Sequence, residues 1–259
     1  MLNTIYSVLF LTIFFPFLGW SHPNLQKIPF EDKQKLEKFF DYLMHNSMIG
    51  YSLCGEKPTS METFPVLAKI PLQYAIKIFV KHPGYSIVWN GIESWQSYSH
   101  LFLSKNFVFR FVPAYNTIVL INKMAALKII KDNLDLFQKY SYTNQTAAEF
   151  LEELCYPKDK DYMICYDTTL LGILLGYGRN NSLAFAKRSY VQKLENFKLY
   201  NTNDSLNDFM NPGFFIINNG TNEEENKKIR QILRLAKYNI EVSFEKSHYF
   251  ESFIDLFTR

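Results

Sequence analysis

Apolar residues recur at helical spacing early in the chain. Leu36, Phe39, Phe40 and Leu43 share one face of a helix over Glu31–His45, with Lys33, Lys35 and Lys38 on the other. HNSMIG ends that helix, and Gly50 opens GYSLCGEKPTS (50–60). Pro65 and Pro71 punctuate the next stretch of chain. Pro71 suits the first turn of a short helix over Leu72–Lys81, which HPG closes. Three short apolar runs then read as strands: Tyr85–Trp89, Phe107–Val112 (FVFRFV) and Thr117–Ile121 (TIVLI). PAYN joins the last two as a hairpin, and ESWQSYSHLFL reads as a helical crossover between the first two.

Helical spacing returns at Asn122, a capping residue for a helix to Lys139 that turns Leu127, Ile130, Leu134 and Phe137 inward. Ala147–Cys155 is a shorter helix. Asp167 caps TTLLGILLGY, which is apolar on every side and so belongs in the interior; GYG (176–178) ends it. A further helix turns Leu183, Ala186, Tyr190, Leu194 and Phe197 inward. Phe214–Asn218 reads as a strand, and Thr221 with Glu224 forms a capping-box signature. Glu223–Glu225 begin the next helix and Lys227, Lys228, Arg230, Arg234 and Lys237 occupy its later turns, matching the helix dipole. Ile240, Val242 and Phe244 alternate with Glu241, Ser243 and Glu245 as on a half-buried strand, and Phe250–Phe257 is a last helix. The pattern predicts an α+β fold: a helix-rich single domain over residues 22–259 around a small mixed or antiparallel β-sheet, with a C-terminal strand–helix–strand–helix unit. Any sub-boundary falls in the polar, turn-rich stretch 201–212.

Composition adds two points. In 259 residues, 47% hydrophobic and 17% aromatic content supports a real core. A net charge of +3 is too weak to imply a nucleic-acid partner. The N-terminus says more. Tyr6–Trp20 is apolar but shorter than the ~20 residues of a membrane span, and suits the core of a secretory leader. Gly19 and Ser21 take the −3 and −1 positions for cleavage after Ser21. No Lys or Arg precedes the run, so an uncleaved anchor or a buried first helix is the competing reading. The expectation is a signal peptide over 1–21 and an exported protein: periplasmic, envelope-bound or secreted. No later run reaches spanning length; Leu170–Tyr177 is about two turns. Cys155 and Cys165 flank a polar loop and suit a disulfide in an oxidising compartment, leaving Cys54 as the odd thiol.

Chemistry-bearing motifs are few. GYSLCGEKPTS spaces two glycines like a phosphate-binding loop, but Glu56 intrudes before Lys57, Pro58 comes directly after it, and a helix precedes the loop. A helix start after FFIINNGT suits an anion, yet three glutamates occupy it. A Cys54 nucleophile needs a base, and His45, His82, His100 and His248 stand at no spacing that compels contact. No histidine pair or cysteine spacing suggests a metal, no serine sits in a GxSxG elbow, and no cofactor is implied. There remains a pair of glycine-bounded helix exits, GYSLCGEKP and LLGILLGYGRNN. If they meet, Cys54, Glu56, Lys57, Arg179 and Asn180 rim a ligand cleft; otherwise they are two separate helix caps.

The same two stretches, Gly50–Pro58 and Leu170–Asn180, carry a resemblance. With the leader, a helix running into G-Y-x-L-x-G-x-K-P and a later LLG-x-LLGYGR-N resemble uncharacterised exported proteins of intracellular bacteria such as chlamydiae and their relatives. About twenty residues carry it. It implies export and source but no catalytic residue. The expected function is a non-enzymatic envelope or host-interaction protein with a protein partner. The alternative is a small hydrolase or transferase using the two glycine loops.

Overall fold

The strand TIVLIN, apolar without a break, becomes the middle of the molecule. In the computed structural model, which describes residues 22–64, 84–159, 167–187, 194–200, 209–217, 220, 222–245 and 248–259, β3 (Thr117–Asn122) lies between β1 (Thr59–Thr63) and β2 (Phe107–Val112). Both neighbours run antiparallel to it. Thr59 pairs with Ile121 on one side, and Phe109 with Leu120 on the other. A strand that meets apolar layers on both faces should be apolar at every position. Ile118 and Leu120 accordingly face one cluster, while Val119 and Ile121 face the other.

The larger cluster is built by α1 (Phe30–Asn46), α2 (Ile49–Leu53), α3 (Gly84–Tyr98), α9 (Glu223–Phe244) and α10 (Tyr249–Thr258). Leu36, Phe39, Phe40 and Leu43 are fully buried, as their spacing predicts. Aromatic rings fill its centre. Phe40 stacks on Phe253 with centroids 4.0 Å apart, and Trp95 meets Phe109 and Phe253 edge-on. The opposite face carries α4 (Lys123–Asp132), α5 (Leu134–Ser141), α6 (Ala147–Cys155) and α7 (Thr168–Leu174). Past α7, α8 (Arg179–Lys187) packs beside the small hairpin of β4 (Leu194–Asn196) and β5 (Phe215–Ile217). The α+β architecture holds, and the main sheet is antiparallel.

Two of the caps read from sequence are in place, at Asn122 and Asp167; the box at Thr146 and Glu149 was not anticipated, and α9 begins after Asn222 with no side-chain cap bond. The Asn122 side chain accepts from the Ala125 amide, Asp167 accepts from Thr169 and Leu170, and Thr146 and Glu149 cap α6 reciprocally. Pro113–Tyr115 makes one tight turn of the β2–β3 hairpin, with Asn116 left-handed at φ 47°.

Several expectations need correction. Tyr85–Trp89 is not a strand but the first turns of α3, and most of the anticipated crossover continues the same helix. Val88, Ile92 and Trp95 recur at helical spacing and bury against α1. The run from Ile240 to Glu245 is the end of α9, so the C-terminal unit is strand–helix–helix. Ile240 and Phe244, four apart, are buried, and Val242 between them is exposed. The helix after Asn122 breaks at Asn133, whose side-chain amide bonds back to the Ile129 carbonyl. Leu194 and Phe197 lie in and after β4, outside the helix assigned to them. β1 was not anticipated at all. The helix over Leu72–Lys81, Tyr190, Cys165, Thr221 and most of the turn-rich stretch fall outside the described residues; Cys155 itself carries a buried free thiol.

Candidate functional site

Both glycines of GYSLCGEKPTS serve close packing. α2 is buried along its whole length between the sheet and α9. A Cβ on Gly50 would lie 2.9 Å from the Ile240 side chain, and one on Gly55 only 2.4 Å from Ala236 Cβ. Neither glycine has a positive φ, so neither makes a left-handed helix cap. The carbonyls at the end of α2 are satisfied by side chains instead. Asn122 Nδ2 donates to the Ser52 and Gly55 oxygens, and Asn239 Nδ2 donates to the Cys54 oxygen.

Lys57 then points inward. It is 3% exposed, and its ammonium donates to the Thr59 carbonyl. Burial without a counter-charge lowers its pKa to about 7. The Thr59 hydroxyl, also buried, has no hydrogen-bond partner among the described residues.

The second loop does reach the first. Gly176, at φ 79°, seats against Pro58 and Lys57, where a Cβ would lie 3.2 Å from Pro58 Cδ. Here the left-handed glycine is real, as is Gly178 at φ 90°. Yet the five candidate side chains diverge. Arg179 forms a two-pronged ion pair with Asp135 of α5 at 2.8 and 2.7 Å. That guanidinium holds the Asp135 carboxyl down to about 2. Asn180 Nδ2 donates to Asn222 Oδ1 at 2.9 Å. Cys54 and Glu56 line a 500 Å³ groove whose other wall is Gln231, Ile232, Leu235 and Asn239 of α9, and Glu56 reaches Lys128 at 3.5 Å. Lys57, Arg179 and Asn180 are not part of that groove.

Cys54 is half-buried, and burial pushes its thiol up to about 12. Such a thiol is protonated at neutral pH and a poor nucleophile. His45, at the end of α1, is otherwise engaged. Its Nδ1 lies 2.9 Å from the Asp41 carboxylate, and its ring stacks on Phe209 at 4.5 Å. A second cavity of 350 Å³ contains none of the candidates. It is lined by Lys33, Gln34, Glu37, His248 and Glu251, and Glu37 already accepts from the first two amides of α10.

Sequence reasoning missed the most extensive polar assembly. Asn181, Asn222 and Asn226 are at most 4% exposed and tie α8, β5 and α9 together. Asn181 Oδ1 accepts from the Ile217 amide and from Asn222, while its Nδ2 donates to Asn226 and the Tyr177 carbonyl. Asn226 Nδ2 donates to the Ile217 carbonyl. Glu225 Oε1 accepts from the Arg179 and Asn180 amides, capping α8 from another element. Three amides separated by up to 45 residues have no sequence signature. A buried network with its groups this well paired is a clamp rather than a reaction centre.

Among the described residues there is no cluster of His, Cys, Asp and Glu able to hold a metal. No helix among them is long and apolar enough to cross a membrane. Neither a family model, a curated protein nor a solved structure matches the chain.

Proposed function

We propose that this is an exported protein of the envelope or host interface that works by contact with a partner rather than by catalysis at its glycine loops. One observation carries the second half: the chemistry-bearing side chains of the two loops diverge, and each is either buried or paired with another part of the fold. Lys57 is buried and bonded to the Thr59 carbonyl, Cys54 is half-buried with its thiol pushed up to about 12, Arg179 is paired with Asp135, Asn180 with Asn222 and, at the surface, Glu56 with Lys128. Groups that act on a substrate need lone pairs or protons free to meet it. Export rests on the leader-like run Tyr6–Trp20 with Gly19 and Ser21 at its end, and on the resemblance of Gly50–Pro58 and Leu170–Asn180 to exported proteins of intracellular bacteria.

The test has two arms. Residues 1–30 are fused to an alkaline phosphatase reporter that folds only outside the cytoplasm. An active fusion, with a mature N-terminus at His22, supports export; an inactive one overturns it. Separately, Cys54→Ser, Lys57→Met and Arg179→Gln variants of the full chain are compared with the wild type for partner capture from envelope or host-surface extracts. Retained capture supports the reading. Hydrolysis of generic ester or phosphoester substrates that any of the three abolishes would restore the enzyme alternative.

A further inference from the structure

The solvent face of α9 does not look like solvent-facing helix. Leu235 is 60% exposed, Tyr238 62% and Val242 58%, and Ile232 beside them is 37% exposed. Spacings of three and four put Leu235, Tyr238 and Val242 on one line, where a solvated helix carries charge. The line is bounded by charge of opposite sign, Lys228 at its N-terminal end and Glu245 at its C-terminal end. Both are exposed, and neither has an ion-pair partner among the described residues.

We infer that this face pairs with the same face of a second copy of the chain, the two α9 helices running antiparallel. Lys228, Gln231, Leu235, Tyr238, Val242 and Glu245 repeat at alternating steps of three and four, the seam of a two-helix contact about 25 Å long. A two-fold axis between residues 236 and 237 sets Leu235 opposite the partner's Tyr238 and Val242 opposite the partner's Gln231. It sets Lys228 opposite the partner's Glu245, at both ends of the seam. The contact is self-complementary, as a two-fold interface must be. A parallel pair in register would set Lys228 against lysine and Glu245 against glutamate, so the charges select the antiparallel arrangement. The 500 Å³ groove between α9 and residues 53–56 runs alongside, giving Ile232 and Leu235 of each copy a wall to abut.

The inference goes beyond the proposed function and does not depend on it, since a chain that is never exported would still pair. It is tested by light scattering and sedimentation equilibrium on the full chain, with circular dichroism confirming that each variant is folded. The wild type is expected at twice the 30.6 kDa chain mass. Leu235→Asp is expected to be monomeric. Lys228→Glu turns two symmetry-related attractions into repulsions and should weaken the dimer about tenfold. Lys228→Glu with Glu245→Lys should restore it. A monomeric wild type at about 100 μM, far above the micromolar range of ordinary association, overturns the inference, whatever else the stripe binds. So does a dimer indifferent to Leu235→Asp, or a charge swap no better than the single reversal.

Discussion

Replacing Lys57 with methionine should stabilise the protein at neutral pH and do so less as the pH rises. Methionine keeps the apolar stem and removes only the ammonium. In the folded chain burial lowers the Lys57 pKa from 10.5 to about 7. As the pH falls from 10.5 the unfolded chain takes up the proton first, which favours unfolding. The penalty grows until the folded amine itself protonates near 7, and is constant below that. The gap corresponds to about 5 kcal/mol at low pH and about 4 kcal/mol at pH 7; about 2 kcal/mol remains at pH 9. Methionine also forfeits the bond to the Thr59 carbonyl, worth about 1 kcal/mol. The variant should therefore be more stable by about 3 kcal/mol at pH 7 and about 1 kcal/mol at pH 9. Urea denaturation of both proteins at the two pH values measures the difference, in which groups common to both cancel. A variant destabilised equally at pH 7 and pH 9 would refute the picture of a buried, uncompensated lysine.

Other expectations come from the same packing. Gly55→Ala places a methyl 2.4 Å from Ala236 Cβ and should cost about 1–3 kcal/mol, partly recovered in the Gly55→Ala, Ala236→Gly double variant; a denaturation double-mutant cycle checks the coupling. Gly176→Ala is expected to cost about 1–2 kcal/mol because of its left-handed backbone, and a shortened Lys57 should not rescue it. Asn181→Ala strands the Ile217 amide and the Asn222 side chain, so a loss of about 3 kcal/mol is expected, with faster hydrogen exchange at Ile217.

Much of the fold was legible because single elements carried unambiguous periods. α1 and α6 have one apolar face each, and Asn122 and Asp167 announce their helices with capping side chains. The errors arose where two periods share residues. Ile240 and Phe244 satisfy a strand's alternation and a helix's four-residue step equally well, and only the exposure of Val242 separates the two. In Tyr85–Trp89 the window was too short; extended to Ile92 and Trp95, it reads as a helix. β1 has the polar sequence TSMET and owes its burial at Thr59 and Ser60 to neighbours distant in the chain. The contact of Gly176 with Pro58 was foreseeable as a question but not as an answer. Where Lys57 points depends on its bond to Thr59, where the loop turns into β1, and where Arg179 points depends on Asp135 of α5, which neither loop contains. The asparagine clamp was invisible because its residues are ordinary one at a time.

The central claim is that the loop residues hold the fold together and do not react. Alkylation of the native protein with iodoacetamide at pH 8, resolved cysteine by cysteine by mass spectrometry, tests it most directly. With its thiol half-buried and pushed up to about 12, Cys54 is expected to react at least about a hundredfold more slowly than in the urea-unfolded chain. A Cys54 that reacts in the native state as fast as in the unfolded chain, or faster, would contradict the account and make GYSLCGEKPTS a candidate active site again.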